Sequence, residues 1–376
     1  MKLRDVIRIL EQIAPPEYAC PDDPIGLHIG DPNQDVRRVI VALDATPAVI
    51  GAAKQRSADL IVTHHPLIYR PLTNVRLDTY PQSLIYQLVH SDIALYAMHT
   101  NLDCADGGIN DILAERLGVV ETKVLEPIHA TKMFKLTVFV PTASLEFVRE
   151  AIFEAYPGEI GNYTDCSFAA PGIGTYRPGP GAEPYIGKIG ELEQTPEMRL
   201  EVLVPEKNLH DVIAAIRTAH PYEEVAYDVF PLLSKEGLGE IPLHSKRTVH
   251  GIGRYGKLLK EMSFDGFCEM VRDVLDVDDV RISGDPELRV ETVAMVGGSG
   301  GSLVGLAHSV GADVLVTGDV PHHEFLHAKA LGLNLIDATH GATERPGMIA
   351  LAPRLHDLLS SQDVTVEYID DVLLGM

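Results

Sequence analysis

The chain has 376 residues, of which 45% are hydrophobic and 23% charged, and its formal net charge is −23. This length exceeds what one typical hydrophobic core supports, so we expect two or three globular domains. The acidic balance disfavours non-specific binding to the phosphate backbone of nucleic acids. The four cysteines form no CxxC pair, which argues against a disulfide scaffold or a zinc ribbon and fits a reducing compartment.

The first residues predict an amphipathic helix and not a signal peptide. Val6, Ile7, Leu10 and Ile13 recur at helical spacing, and Asp5 interrupts any apolar run. No apolar run reaches the roughly eighteen residues that a membrane-spanning helix needs. We therefore expect a soluble, cytoplasmic protein.

Residues 38–63 and 292–317 resemble each other and align without a gap. Each reads as a strand, a small-residue turn, a helix and a second strand, which is a βαβ unit. The predicted strands are apolar on both faces, as in a buried parallel sheet. We interpret the two segments as a duplication, and the alternative is that βαβ units resemble one another by composition. The identical pairs are Val39/Val293, Gly51/Gly305, Ala53/Ala307, Ala58/Ala312, Asp59/Asp313, Val62/Val316 and Thr63/Thr317.

A different pattern separates the two halves, from about residue 130 to 245. The predicted order β-α-β-β-α-β is that of a ferredoxin-like module. We therefore expect a first α/β half at 1–129, an inserted α+β domain at 130–245 and a second α/β half at 246–376. The predicted elements of the insert are a strand at 135–140, a helix at 144–156, a strand at 162–170, a Gly/Pro-rich stretch at 171–184, a strand at 199–204, a helix at 209–220 and a strand at 225–232.

Polar clusters follow the predicted strands in both halves. His64 and His65 follow one strand and precede Pro66, and the segment from His99 to Asp103 follows the next. The carboxyl ends of strands are where open α/β sheets place their sites. Imidazole binds zinc, iron and similar metals, and a carboxylate can bridge two of them. An exposed loop is the alternative for the histidine pair, and a helix cap is the alternative for Asp103.

The second half supplies His340 and Glu344 after its last predicted strand. Because Pro346 disfavours a helical residue before it, we expect a loop here, with a helix beginning near Pro346. Glu344 could simply complement the dipole of that helix. Three clusters of histidine and acid at equivalent strand ends nevertheless favour a site for two metal ions.

Three other motifs compete for a function. The residues from His323 to His327 match HExxH, the zinc-protease helix, but position 330 is Ala where the extended motif needs Gly. The stretch from Gly297 to Gly301 suits either a phosphate cradle or a tight turn, and it lacks the Lys-Ser/Thr of a P-loop. In the insert, the segment from His220 to Glu224 reads first as a structural turn.

Together these motifs resemble the NGG-interacting-factor-three-like family of dinuclear metal proteins, whose members are often labelled GTP cyclohydrolase I type 2 homologues. The resemblance covers nearly the whole chain. The insert is similar to that of the long bacterial members, whose extra module resembles PII and CutA proteins. The residues that carry these resemblances are Gly26-Leu-His-Ile-Gly30, Thr63-His-His-Pro66, His99-Thr-Asn-Leu-Asp103, Gly174-Thr-Tyr176, Gly187, His220-Pro-Tyr-Glu-Glu224, Thr317-Gly-Asp319 and His340-Gly-Ala-Thr-Glu344.

The resemblance implies two α/β domains facing each other with the metal pair between them, and a ring-shaped homohexamer. The metal ligands it implies are His64, His65, Asp103, His340 and Glu344. Zinc, iron and manganese all suit such a set.

Two functions follow. The first is a metal-dependent hydrolase acting on GTP, another nucleotide or a phosphate ester, in which a histidine such as His99 or His323 moves protons. The second is a non-catalytic metal-binding or regulatory ring whose PII-like insert senses a small molecule.

Overall fold

The structure is a computed structural model that describes residues 1–130, 133–156, 158–160, 163–232 and 249–370. The chain divides into two compact units, one formed by Met1–His129 with Val249–Met376 and the other by Ala130–Thr248. The boundary predicted at residue 245 lies outside the described residues. Within the described ranges, no helix is both long enough and apolar enough to cross a membrane.

The regular elements confirm the mixed α/β class. The α-helices, in chain order, are α1 (Leu3–Ile13), α2 (Pro47–Gln55), α3 (Gln82–His90), α4 (Thr100–Cys104), α5 (Ile109–Arg116), α6 (Leu145–Ala155), α7 (Glu206–Ala219), α8 (Phe264–Leu275), α9 (Val304–Ser309), α10 (His322–Leu331) and α11 (His340–Leu359). The β-strands are β1 (Gly26–Ile29), β2 (Arg38–Ala42), β3 (Leu60–Thr63), β4 (Ala94–Ala97), β5 (Val119–Ala130), β6 (Met133–Pro141), β7 (Phe168–Tyr176), β8 (Glu193–Pro205), β9 (Tyr227–Pro231), β10 (Val249–Ser263), β11 (Arg281–Ser283), β12 (Arg289–Ser299), β13 (Val314–Gly318), β14 (Asn334–Asp337) and β15 (Thr365–Tyr368).

The first sheet of the larger unit has the strand order β1-β4-β3-β2-β15. Strands β4, β3, β2 and β15 are parallel, and β1 is antiparallel to β4. All residues of β3 and β4 are buried, because helices cover both faces of the sheet and the strands are apolar throughout. The carboxyl ends of β2, β3 and β4 therefore open at one edge of the sheet.

The second sheet of the larger unit repeats much of this arrangement. Its order is β11-β14-β13-β12-β10-β5, with β14, β13 and β12 parallel and β11 antiparallel to β14. Each sheet thus has at least three consecutive parallel strands beside a short antiparallel edge strand. The common origin of the two halves stays a prediction, and the similar topology supports it.

Helix α11 joins the two sheets and contacts strands of both. The helix begins at His340 and contains Pro346, so the prediction of a loop with the helix beginning near Pro346 is wrong. The local cost of Pro346 is outweighed because that residue and its neighbours are buried between the sheets. The Thr343 hydroxyl also donates a hydrogen bond of 2.7 Å to the carbonyl of His340 within the first turn.

The smaller unit is an antiparallel sheet in the order β7-β8-β6-β9, packed against α6 and α7. Its elements follow one another as β-α-β-β-α-β. The strand predicted at 162–170 is misplaced, because β7 extends from Phe168 through the Gly/Pro-rich stretch to Tyr176. Pro171 is tolerated there because β7 lies at the edge of the sheet, where a missing N–H need not leave a partner unsatisfied.

Candidate metal centre

The turn after β3 aims two adjacent imidazoles in the same direction. Adjacent residues on a regular strand point to opposite faces, but the strand ends at Thr63. The amides of His64 and His65 both donate to the carbonyl of Leu43, at 3.1 Å each. As a result the two rings lie side by side, with centroids 5.0 Å apart and planes tilted by 55°.

The other predicted ligands reach the same place from two short helical turns. Asp103 lies in α4, directly after β4, and is 8% exposed. His340 and Glu344 occupy one face of the first turn of α11, where a spacing of four residues places their side chains together. His340 Nε2 lies 3.2 Å from Glu344 Oε1. All five residues that the family resemblance implied as ligands are therefore brought together within the larger unit.

Glu344 lies at the centre of the cluster. Its Oε1 is 3.5 Å from His64 Nε2, and its Oε2 is 3.1 Å from His65 Nε2. Further contacts join His65 Nε2 to His340 Nε2 at 3.1 Å and His64 Nε2 to Asp103 Oδ1 at 3.7 Å. Zinc–nitrogen bonds of about 2.0–2.1 Å place tetrahedral ligand atoms about 3.3–3.4 Å apart, so these separations suit shared metal ions.

Each histidine of the predicted ligand set has its Nδ1 beside an oxygen acceptor. This pairing favours the tautomer with the proton on Nδ1 and leaves Nε2 free to bind a metal. The pairs are His64 with the carbonyl of Met98 at 2.8 Å, His65 with Asp44 at 2.9 Å and His340 with Asp319 at 2.8 Å. Such outer partners are what metal-binding histidines ordinarily have.

Three buried polar atoms of the cluster have no hydrogen-bond partner among the described residues. They are His64 Nε2, Asp103 Oδ1 and Glu344 Oε2. The 3.1 Å contact of Glu344 Oε2 with His65 lacks hydrogen-bond geometry. An unsatisfied buried polar atom costs about 1–3 kcal/mol, and three such atoms at one point fit metal ions as the missing partners.

Without a metal, the cluster holds protons. Burial opposes protonation of His65, but the carboxylates of Asp44 and Glu344 outweigh it and raise the pKa of His65 to about 10. The Glu344 carboxylate, which accepts a hydrogen bond from protonated His340, raises the pKa of His340 to about 9. Burial raises the pKa of Asp103 to about 6, although the neighbouring His64 counteracts it. Because metal binding needs neutral imidazoles and ionised carboxylates, metal and protons compete for this site.

A fourth histidine belongs to the same cluster. The ring of His99 lies 5.2 Å from that of His64 and 5.8 Å from that of His65, and a ring nitrogen of each lies within 4.8 Å of the others. His99 Nδ1 lies 2.8 Å from Asp23 Oδ1, so a carboxylate orients this ring too.

Sequence reasoning gave no role to the supporting carboxylates Asp23, Asp44 and Asp319, which come from separate loops; Asp319 was named only as part of a motif of the family resemblance. For two of them a signal was present, since Asp44 follows β2 and Asp319 follows β13 at the edge where the ligands lie.

The glycine-rich stretch after β12 is a tight turn against the cluster. Three of its amide N–H groups donate hydrogen bonds to side-chain oxygens: Gly297 N to Asn110 Oδ1, Gly298 N to Thr343 Oγ1 and Gly300 N to Thr317 Oγ1. These donors are therefore committed to the fold and do not form a phosphate cradle. Gly298 has φ +69°, and a Cβ placed there would lie 2.3 Å from Glu344 Oε1.

The HExxH segment forms α10 on the surface, outside the cluster. His323 and His327 are exposed, and Glu324 Oε2 lies 3.2 Å from His327 Nδ1. In a zinc protease the two histidines bind one ion and the glutamate acts on water. Of the residues that the structure describes, this trio is not among the groups of His, Cys, Asp and Glu spaced to hold a metal.

The zinc-protease reading and the strand-end reading predict opposite effects of two substitutions on the metal content. We expect His327→Ala to leave the metal content near that of the wild type, because the ring pairs with Glu324 on the surface, outside the cluster. His340→Ala should lower the metal content, because Nε2 of His340 faces His65 and Glu344. Metal analysis after dialysis checks both variants. If His327→Ala strips the metal while His340→Ala retains it, the zinc-protease reading replaces the strand-end site.

Comparison with known proteins identifies a family whose model spans nearly the whole chain. Residues 1–371 match the family model described as Duf34/NIF3 (NGG1p interacting factor 3). The chain is 43% identical over 339 residues to the Bacillus subtilis (strain 168) protein named GTP cyclohydrolase 1 type 2 homolog, an alignment covering 90% of this chain and 88% of the relative. A Mycobacterium tuberculosis protein of the same name is 38% identical over 362 residues, covering 95% and 92%.

Solved structures share the fold over nearly the full length. A Bacillus cereus protein related to NIF3 is 39% identical, with a TM-score of 0.77, and the match covers 98% of this chain and 96% of that one. The Staphylococcus aureus protein SA1388 is 26% identical, with a TM-score of 0.80 and the same coverage.

Proposed function

Because the chain belongs to the Duf34/NIF3 family, we propose that it is a hydrolase that depends on two divalent metal ions. The ligands are His64, His65, Asp103, His340 and Glu344. One observation carries this proposal. Three buried polar atoms without a hydrogen-bond partner lie at one point, and each of the three ligand histidines there has its Nδ1 beside an oxygen acceptor. Zinc, iron and manganese fit this set of nitrogen and oxygen donors.

The distances divide the five proposed ligands into two groups that Glu344 connects. His64 and Asp103 form one group, His65 and His340 form the other, and Glu344 contacts members of both. Glu344 is therefore the carboxylate that would serve both ions, and Asp103 would serve the first group. When bound, such a pair supplies Lewis acidity, which lowers the pKa of water and polarises a carbonyl or phosphoryl oxygen.

The chain's own residues provide proton transfer beside the ligands. His99 donates from Nδ1 to Asp23, so its Nε2 is an acceptor toward the cluster. A base in this position takes a proton from attacking water and returns it to the leaving group. His323 does not suit this role, because its side chain is 76% exposed and pairs with Glu324.

The substrate class that we propose is a nucleotide or another phosphate ester, with GTP as the first candidate. The name shared by the Bacillus subtilis and Mycobacterium tuberculosis relatives supports GTP. We also propose that the protein forms a homohexameric ring and that its smaller unit is related to PII or CutA proteins. A cytoplasmic location is part of the same proposal.

A screen of metal-loaded protein against nucleotides and phosphate esters tests the hydrolase. We expect turnover of at least one substrate, and Asp103→Asn should lower kcat/KM by about 100-fold or more, since it removes a ligand charge but keeps the side-chain shape. Asp273→Asn, on the exposed face of α8, is the matched control and should retain full activity. Absence of turnover on every nucleotide would favour the regulatory metal-binding ring instead.

A further inference from the structure

The smaller unit contains a cavity of about 760 Å³, which lies within the range of small-molecule sites. Strands β7 and β8, the segment between them and the turn after α7 form its walls. We propose that this cavity binds a small organic cation, an amine carrying an aromatic or similarly flat apolar group. This inference does not depend on the hydrolase proposal, because every residue that carries it lies in the smaller unit.

Aromatic rings form one part of the wall. The ring of Tyr222 lies 5.8 Å from that of Tyr176 at an angle of 63°, and 6.3 Å from that of Tyr185 at 52°. Three tyrosines inclined to one another in this way present ring faces as well as edges. Ring faces carry the negative part of the aromatic quadrupole and attract cations, especially where water is excluded.

A carboxylate lies among these rings. Glu197 on β8 is 9% exposed, and its Oε1 accepts a 3.0 Å hydrogen bond from the Tyr222 hydroxyl. No ion pair of Glu197 is found within the part of the chain that the structure describes. A buried carboxylate with one neutral donor is poorly compensated, and a cationic ligand supplies the missing charge.

The neighbouring strand leaves room for this carboxylate. A Cβ at Gly174 of β7 would lie 2.1 Å from Glu197 Oε2, closer than any side chain allows. Glycine at position 174 is therefore required for Glu197 to occupy its place in the wall. This gives a physical role to the Gly174-Thr-Tyr176 motif, since its first residue admits the carboxylate and its last contributes a ring.

The second motif of the smaller unit, from His220 to Glu224, supplies Tyr222, Glu223 and Glu224 to the lining of the cavity. His220 is buried; its Nε2 donates to the carbonyl of Phe139 at 3.0 Å, and its Nδ1 accepts from the amide of Tyr222 at 3.1 Å. This histidine thus holds the turn, as a structural reading of the segment predicts. The Glu223 carboxylate accepts the amide of Glu183 at 3.0 Å, which ties the segment between β7 and β8 over the cavity.

The two arginines of the wall each contact an oxygen of the protein. Arg177 Nη1 donates to the carbonyl of Gly190, and Arg199 Nη2 pairs with Glu201 Oε1 at 2.7 Å. One donor of each guanidinium is thus engaged within the protein, whereas Glu197 has no cationic partner among the described residues. Glu197 and Glu224 line the cavity without a cationic partner among the described residues, so the cavity favours a positive group.

Binding of three near-isosteric probes to the full-length protein tests the inference. Benzylammonium is the cation, benzyl alcohol the neutral analogue and benzoate the anion, and titration calorimetry measures each at pH 7.5. We expect saturable binding of benzylammonium that is about ten-fold or more tighter than binding of either analogue, because a charge-assisted contact and cation–π attraction act together. Equal or tighter binding of benzoate or benzyl alcohol, or no binding of benzylammonium at millimolar concentration, would overturn the proposal.

Substitutions of cavity residues test whether benzylammonium binds in this cavity. Glu197→Gln keeps the acceptor for Tyr222 and should weaken benzylammonium about ten-fold or more, and Gly174→Ala should do the same by displacing the carboxylate. Glu146→Gln, on α6 and paired with Arg149, makes the same change of charge away from the cavity and should bind like the wild type. Circular dichroism and an unchanged metal content verify that each variant is folded. Unaltered binding in both folded cavity variants would place the probe elsewhere and refute the assignment.

Discussion

Glu344→Gln is expected to reduce the metal content of purified protein from about two ions per chain to below one. Glu344 contacts His64 through Oε1 and His65 through Oε2, so it is the side chain that both groups of ligands share. The amide of glutamine keeps the volume but removes the charge and one acceptor. Losing an outer partner costs about 10–100-fold in metal affinity, and losing a shared ligand should cost more. Elemental analysis of protein loaded and then dialysed measures the effect.

Glu324→Gln is the matched control for this variant. Glu324 is a glutamate of the same unit on α10, outside the cluster, and its substitution should leave about two ions bound. A wild-type content that never exceeds one ion per chain under metal-replete conditions would eliminate the dinuclear site. Full retention of both ions by Glu344→Gln would remove Glu344 from the ligand set.

Gly298→Ala should abolish high-affinity metal binding although it changes no ligand. The added Cβ would lie 2.3 Å from Glu344 Oε1 and 3.2 Å from His340 Nε2, so both ligand side chains would have to move. The backbone at Gly298 has φ +69°, where an alanine also costs about 1–2 kcal/mol. We expect a loss of about 100-fold or more in metal affinity, measured by competition with a chromogenic chelator.

Gly311→Ala separates the two causes. Gly311 has φ +78°, but no atom lies within 4 Å of a Cβ placed there. This substitution should lower the thermal midpoint through backbone strain alone and leave metal affinity unchanged. If Gly298→Ala and Gly311→Ala lose metal to the same extent, the contact with Glu344 is not the cause and the geometry of the site is different.

The position of the cluster explains why both sheets are needed. His64, His65 and Asp103 follow β3 and β4 of one sheet, whereas His340 and Glu344 follow β14 of the other. Helix α11 contacts both sheets, so its first turn is held between them. Neither sheet alone carries more than three of the five proposed ligands, and a change that loosens α11 should therefore act on metal binding as well as on stability.

The amino-acid sequence by itself determined the local features of this protein. Uninterrupted apolar runs specified β2, β3, β12 and β13, because strands covered on both faces tolerate few polar residues. Histidine and acid directly after such strands indicated where a metal site lies, since parallel strands end at a common edge. The family resemblance supplied the five ligands.

Only the tertiary structure decided how distant residues meet. The helical turn from His340 to Glu344 exists because its buried position outweighs the local preference of Pro346. Asp44 and Asp319 are identified as partners of His65 and His340 by contacts that no sequence spacing encodes. The same holds for Glu197, which packing places among three tyrosines from separate segments. Spacing along a chain specifies periodic elements, whereas the neighbours of a buried charge depend on how those elements pack.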